Sequence, residues 1–180
     1  MEHEIVEKEK MKLIGLNYHG SITENGVAFE ESVEDLWRRL SEFCMNSWDS
    51  IEKGVINPEL SYEIQIWNEE ELDETGRMSV FVGIEYKDFD SIPVQLGGKI
   101  LPGGKYLSFT FEGEEINGWE EYLLQEWFPE SDYWLRPFDG QVFHIQCFHE
   151  DKFKGVENIE ESELKVLVPV EKIDQEIMEE

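Results

Sequence analysis

Positively charged residues are scarce in this chain of 180 residues. It has 15 Lys and Arg against 42 Asp and Glu, for a formal net charge of −27 at pH 7. A field of this sign repels phosphate backbones and anionic lipid headgroups, and no basic stripe typical of a DNA- or RNA-binding surface is visible. The composition therefore argues against direct binding of nucleic acid or of a membrane surface. It favours a positively charged ligand or partner.

Cysteines and long apolar runs are also rare. Cys44 and Cys147 lie far apart among apolar neighbours, which predicts buried free thiols rather than a disulfide. No apolar run approaches the roughly 18 residues that a membrane helix requires, and the N-terminal sequence MEHEIVEKEK lacks the apolar stretch of a signal peptide. We therefore expect a cytoplasmic protein.

Sequence motifs of known catalytic and cofactor sites are missing as well. No GxSxG, P-loop, HExxH or dinucleotide-binding motif occurs. His144 lies within a predicted strand and His149 just beyond its end, so their side chains are not expected to converge on one metal ion. No cluster in the sequence supplies a third ligand. We expect neither a metal nor another cofactor.

Aromatic residues, by contrast, are plentiful: 11 Phe, 6 Tyr and 6 Trp make up 13% of the chain. Disordered acidic chains are poor in aromatic residues, so this composition indicates a folded core. The hydrophobic pattern predicts strands at 12–18, 62–67, 78–86, 106–111, 141–148 and 164–170, and helices within 29–51 and 119–127. The second helix is expected to stop before Pro129, and the acidic runs at 69–74 and 157–163 are expected to be solvated loops. We expect the Glu-rich C-terminal residues to fray.

The order strand, helix, strand, strand occurs twice, which indicates an internal duplication. The segments that align between the halves are 16–20 with 109–113, 62–67 with 143–148, and 80–85 with 166–171. We expect one α+β domain over residues 1–180, built from two βαββ modules at 9–90 and 99–172 that a connector rich in Pro and Gly separates. The modules are expected to meet about a pseudo-two-fold axis, with antiparallel sheets, helices on one side and a ligand groove between them.

Strand alternation assigns the side chains to two faces. Tyr62, Ile64 and Ile66, with their counterparts in the second half, are expected to face the helices. The opposite face mixes aromatic, amide and carboxylate side chains, a composition typical of a small-molecule site. The residues predicted to bind the ligand are Gln65, Trp67, Phe81, Glu85, Tyr106, His144, Gln146 and Phe148.

Each of these candidates also has a structural interpretation. Gln65 and Gln146 can satisfy each other at the interface between the modules, and the aromatic residues can form additional core there. A histidine within a strand, such as His144, is more commonly structural. Glu85 can lie in water if its strand has already ended.

Three segments resemble a known family. They are PGGKYLSFTFEG at 102–113, YLLQEWFPESDY at 122–133 and VLVPV at 166–170. Together they resemble the GyrI-like effector-binding domain, which also occurs fused to AraC- and MerR-type bacterial transcription activators such as Rob. The resemblance spans roughly residues 9–171. It implies two βαββ modules about a pseudo-dyad. It also implies a stand-alone effector-binding protein, because this chain has no counterpart of the helix-turn-helix region of the fused regulators.

Members of this family bind bulky compounds, often cationic or aromatic, through a buried acid together with tyrosines and tryptophans. The resemblance places that acid in a Phe-Glu-x-Tyr-like strand of the second module, where this chain has Gln146. A neutral amide cannot neutralise a buried cation, although its carbonyl can accept a hydrogen bond. Glu63 and Glu85 are the candidates to supply the charge from the first module.

Three classes of function remain open at this point. The first is binding of bulky hydrophobic small molecules, including cationic and aromatic ones. The second is hydrolysis of reactive cyclopropane-bearing, DNA-alkylating compounds, which some GyrI-like relatives carry out; here Glu85 or Glu63 would act with His144. The third is inhibition of a DNA-handling enzyme, with the acidic surface docked on a basic protein partner.

Overall fold

The computed structural model describes residues 2–22 and 26–173. Its strands are β1 (Glu2–Lys8), β2 (Met11–Ser21), β3 (Leu60–Trp67), β4 (Arg77–Glu85), β5 (Gly97–Leu101), β6 (Gly104–Glu112), β7 (Tyr133–Leu135), β8 (Val142–His149) and β9 (Glu163–Lys172). Its helices are α1 (Gly26–Ser47), α2 (Glu69–Thr75), α3 (Trp119–Tyr122) and α4 (Phe128–Glu130), with a π-helical turn (Leu123–Trp127) between α3 and α4. The mixed α+β class predicted from the sequence is confirmed.

The strands form one antiparallel sheet in the order β1-β6-β9-β8-β3-β4-β2-β5, and β7 pairs with β9. This order is symmetric about the central pair of β3 and β8. Each of the two edge strands pairs with the other half of the chain, β1 with β6 and β5 with β2. The duplication of the sequence stays a prediction, and the strand order is the arrangement that it leads us to expect.

Several segments differ from the sequence expectations. The acidic run after β3 is the helix α2 rather than a loop, because the Asn68 side chain accepts a hydrogen bond from the Glu71 backbone N–H and Gly76 ends the helix at φ 64°. Acidic residues in its first turn also favour this helix. The segment expected to be a connector contains the strand β5. The strands β1 and β7 were not predicted. Part of the second acidic run forms a 3₁₀ helix (Val156–Glu161). Pro129 lies inside α4 and does not end the helical segment.

The sheet curls strongly on itself. Only residues 102–103 separate β5 from β6, although these strands lie six positions apart in the sheet. In a flat sheet that separation would be about 29 Å, whereas the short link spans at most about 11 Å. A Cβ on Gly15, which pairs with Gly83, would lie 1.9 Å from the Val82 backbone oxygen, so this tight curl requires glycine.

The curl gives the sheet a closed inner face and an outer face that carries the helices. The inner face holds an apolar cluster that includes Leu13, Ile64 and Ile145. On the outer face, α1 packs on β2 and β4, and the α3–α4 segment packs on β6 and β9. The expectation that Tyr62, Ile64 and Ile66 face the helices is therefore wrong. The enclosed interior takes the more apolar face, because a polar side chain buried without a hydrogen-bond partner costs free energy.

The two cysteines are free thiols, Cys147 buried and Cys44 half-buried. Among the described residues, no helix is both long and apolar enough to cross a membrane. The C-terminal residues expected to fray lie mostly outside the described part of the chain.

Candidate ligand-binding site

A groove of about 880 Å³ opens on the outer face of the sheet, between α1 and the segment that follows β8. Strands β3 and β8 form its floor, since the helices cover the strands on either side of this central pair. We call it the central groove. Its aromatic walls are formed by Phe29, Trp37, Trp48, Phe148 and Phe153.

The carboxylate of Glu63 lies on the floor of the central groove, and the residue is only 7% exposed. Three N–H donors converge on it. The Trp37 indole Nε1 donates to Oε2 at 2.8 Å, and Gln65 Nε2 and Gln146 Nε2 donate to Oε1 at 2.9 Å and 3.3 Å. Three donors suit an ionised carboxylate, which only accepts hydrogen bonds.

Strand pairing and helix packing place these groups. Glu63 on β3 is the direct cross-strand partner of Gln146 on β8. Leu36 and Leu40 of α1 are buried in the cluster that joins this helix to the sheet, and Trp37 projects from the same helix toward the floor. The sequence resemblance placed the family's acid at Gln146. In this chain the carboxylate comes from the neighbouring strand, and Gln146 donates a hydrogen bond to it.

No Lys, Arg or His of the described residues forms an ion pair with Glu63. The hydrogen bonds that it accepts from the described residues all come from neutral groups. A buried carboxylate in this state attracts a cation that can replace the water it has lost.

Aromatic rings continue from the carboxylate along the groove. The rings of Trp37 and Phe148 meet edge to face with centroids 5.4 Å apart, and Phe148 meets Phe153 in the same manner at 4.8 Å. Ring faces of this kind attract cations as well as apolar groups. The groove therefore joins one negative charge to an extended aromatic surface.

His144 and Trp67, both predicted as ligand contacts, do not line the central groove. They line a separate cavity of about 20 Å³ together with Glu120 and several apolar side chains, among them Trp119 and Leu123. His144 is 3% exposed, and its ring lies 4.7 Å from that of Trp119 and 5.6 Å from that of Trp67. Burial lowers the pKa of His144 to about 3, so the ring is neutral. Its Nε2 has no hydrogen-bond partner among the described residues.

The predicted duplication makes the two sites counterparts of each other. The alignment of 62–67 with 143–148 places His144 at the position of Glu63 and Phe148 at that of Trp67. In one half a tryptophan from α1 lies against an acid, and in the other a tryptophan from α3 lies against a neutral histidine. Of these two sites, the first has a carboxylate at the strand position that the histidine holds in the second, and it opens into the large groove.

Phe81, Glu85 and Tyr106 lie on the inner face, and their assignment to the groove face is wrong. Phe81 pairs with Ile64, so it shares the face of Ile64 and not that of Glu63. Phe81 and Tyr106 are each 2% exposed in the inner cluster, where the Tyr106 hydroxyl donates to the Pro102 carbonyl at 2.6 Å. Glu85 accepts a hydrogen bond from Asn57 Nδ2 at 2.9 Å.

Sequence reasoning missed Trp37, Phe29 and Phe153. Trp37 fits the apolar face of α1, which favours an interpretation as core. The available signal was its indole N–H, which needs an acceptor when it is buried. Phe153 lies in the segment after β8, which carries no periodic pattern.

The chain was compared with known families, sequences and structures. A family model described as Cass2, integron-associated effector binding protein, matches residues 4–169. A comparison with curated protein sequences gave no significant match. Among solved structures, SAV2435 bound to tetraphenylphosphonium is 14% identical with a TM-score of 0.63, over 95% of this chain and 94% of that one. The EcmrR C-terminal domain is 12% identical with a TM-score of 0.60, over 96% and 98%.

The integron cassette protein VCH_CASS2 from Vibrio cholerae is 15% identical with a TM-score of 0.52, over 94% of this chain and 95% of that one. At these identities the structural matches establish a shared fold, and they confirm the GyrI-like resemblance seen in the sequence. The match to the family model extends over most of the chain and includes the strands that hold Glu63 and Gln146. This chain therefore belongs to the Cass2 family of integron-associated effector binding proteins.

Proposed function

We propose that the central groove binds a bulky hydrophobic cation, with Glu63 as its counter-charge and Trp37 and Phe148 as its walls. Small-molecule binding itself follows from membership of an effector-binding family. The observation that carries the choice of a cation is the Glu63 carboxylate. It is buried, holds three hydrogen bonds from neutral groups, and has no cationic partner among the described residues.

The hydrogen bonds to Glu63 allow the charge to be present before the ligand arrives. They replace part of the hydration that burial removes, which otherwise costs several kcal/mol. The carboxylate is also held in place, so little reorganisation accompanies binding. Each aromatic ring that faces the cation adds about 0.5–2 kcal/mol, depending on how completely the contact excludes water.

A relative of the same fold supports this proposal. SAV2435 has been solved with tetraphenylphosphonium, a hydrophobic cation with four aromatic rings. A groove of about 880 Å³ is large enough for a ligand of this class.

The hydrolytic alternative requires Glu63 or Glu85 beside His144. Glu63 and Glu85 lie on opposite faces of the sheet, and His144 lines the separate small cavity. No described hydrogen bond joins His144 to either carboxylate, so the geometry supports binding better than hydrolysis.

Isothermal titration calorimetry with tetraphenylphosphonium tests the proposal. We expect Glu63→Gln to weaken binding by at least tenfold, because the amide keeps the size of the side chain and removes its charge. Glu85→Gln is the matched control: the same change on the inner face should leave the dissociation constant within twofold. Triphenylphosphine oxide, an uncharged aromatic probe, should bind far more weakly than the cation. Unchanged binding in Glu63→Gln would show that the charge of Glu63 does not select the ligand.

A further inference from the structure

The rim of the central groove carries four acidic residues and one histidine, His149. Glu30 and Glu34 on α1, with Glu59 before β3 and Glu150 after β8, are exposed and line the groove. None of the described lining residues is Lys or Arg. The groove therefore offers negative charge at two depths, one carboxylate buried on the floor and four more in contact with solvent.

We propose that the preferred ligand is an elongated dication, with one positive charge at Glu63 and the other between Glu59 and Glu150. This inference rests on the proposed function, since it specifies the ligand class of the same groove. A compact cation meets only the buried carboxylate, whereas an elongated dication also meets the exposed pair.

Strand geometry places that pair at a defined distance from Glu63. Glu59 precedes Glu63 by four residues, and Glu150 follows Gln146, the cross-strand partner of Glu63, by four residues. The Glu150 backbone N–H donates to the Glu59 carbonyl at 2.9 Å, so the two residues lie at the same end of the floor. At about 3.3 Å per residue, this end is ~13 Å from Glu63.

The shape and walls of the groove suit a ligand of this length. Its volume of about 880 Å³ lies in the upper part of the range for small-molecule sites, about 300–1,000 Å³. Between Glu63 and the strand ends, the lining includes Phe148, whose ring meets that of Phe153. An apolar spacer can lie along these side chains while each charged end meets a carboxylate.

Calorimetry at low ionic strength and pH 8, where histidine is neutral, tests this inference with three probes. Decamethonium carries two quaternary ammonium groups on a spacer long enough to separate them by ~13 Å. Hexamethonium has the same groups closer together, and decyltrimethylammonium has the long chain with one charge. We expect decamethonium to bind at least tenfold more tightly than either of the others, and salt to reduce this advantage.

Matched double variants locate the second charge. The double variant Glu59→Gln and Glu150→Gln should bind decamethonium only as tightly as it binds decyltrimethylammonium, the probe with one charge. Glu30→Gln with Glu34→Gln removes the same number of charges from the same rim and should leave the preference intact. All four side chains are exposed, so these variants should fold as the parent does.

The outcomes separate the two proposals. Equal binding of decamethonium and decyltrimethylammonium, with both weakened by Glu63→Gln, would overturn the dication inference and leave the cation site standing. Loss of the preference in the Glu30 and Glu34 variant instead would also overturn it, because the second charge would then lie at α1. If neither these probes nor tetraphenylphosphonium bind, both proposals fail.

Discussion

The Trp37 indole Nε1 lies 2.8 Å from the Oε2 atom of Glu63, so a residue of the outer helix donates directly to a carboxylate on the floor of the sheet. This contact joins α1 to β3 at the centre of the groove. It orients one oxygen of Glu63 while Gln65 and Gln146 donate to the other. Trp37 is therefore both a wall of the site and a positioning residue for its charge.

Trp37→Phe should lower the free energy of unfolding by about 1–3 kcal/mol, because it leaves one oxygen of a buried carboxylate without its donor. Urea denaturation followed by circular dichroism measures this change. Trp48→Phe is the control, since Trp48 lines the same groove and its indole has no hydrogen-bond partner among the described residues. Equal losses in the two variants would contradict a specific role for the Trp37 hydrogen bond.

His144 should make the stability of the protein depend on pH. Its pKa is about 3 in the folded state, against 6.5 for an exposed histidine. Between these values the unfolded chain binds a proton that the folded chain does not, so stability falls as the pH falls from 6.5 toward 3. Below pH 6 the slope from this one group approaches about 1.4 kcal/mol per pH unit.

Comparison with His144→Gln isolates this contribution from that of the many carboxylates. Urea unfolding at pH 7, 6 and 5 should show the wild-type protein losing stability faster than the variant as the pH falls. Parallel pH dependence in the two proteins would mean that His144 is not buried in its neutral form. His144→Leu serves as a second variant if the glutamine variant does not fold.

Substitutions of Phe81 and Phe148 should have different effects, one on the stability of the fold and the other on the affinity for the ligand. Phe81 is 2% exposed on the inner face, so Phe81→Leu should lower the melting temperature and leave the dissociation constant for tetraphenylphosphonium unchanged. Phe148 lines the central groove, so Phe148→Leu should weaken binding of the cation severalfold through loss of the ring. Weakened binding in a folded Phe81→Leu variant would place Phe81 nearer the ligand than the strand pairing indicates.

Gly15→Ala should prevent folding or destabilise the protein by more than about 4 kcal/mol, beyond the usual range for single substitutions. The added Cβ would lie 1.9 Å from the Val82 oxygen, a backbone atom that cannot move without opening the β2–β4 pair. Gly118→Ala is the control, because no atom lies within 4 Å of its added Cβ. Thermal denaturation of both variants checks this prediction, and a Gly15→Ala variant as stable as the parent would contradict the tight curl at this position.

The main strands and both principal helical segments were predictable, because alternation and the helical period are local properties of the chain. Tyr62 to Trp67 and Phe143 to Phe148 alternate clearly enough to identify β3 and β8. The face that carries Glu63, Gln65, Gln146 and Phe148 was predicted correctly as one surface. The edge strands β1 and β5 were not predicted, because a short strand rich in charged residues or glycine has no periodic hydrophobic signal of its own.

The sequence by itself determined the acidic charge, the two-fold repetition of its pattern and the residue types that share each strand face. Only the tertiary structure decided which face is enclosed and which residues of β4 lie on that face. Alternation defines two faces of a strand without saying which is inside, and it does not set the register between β3 and β4. The curl of the sheet enclosed the face of Ile64 and Phe81. The outer face was left to Glu63, which is the buried carboxylate of the groove and accepts a hydrogen bond from Trp37 of α1.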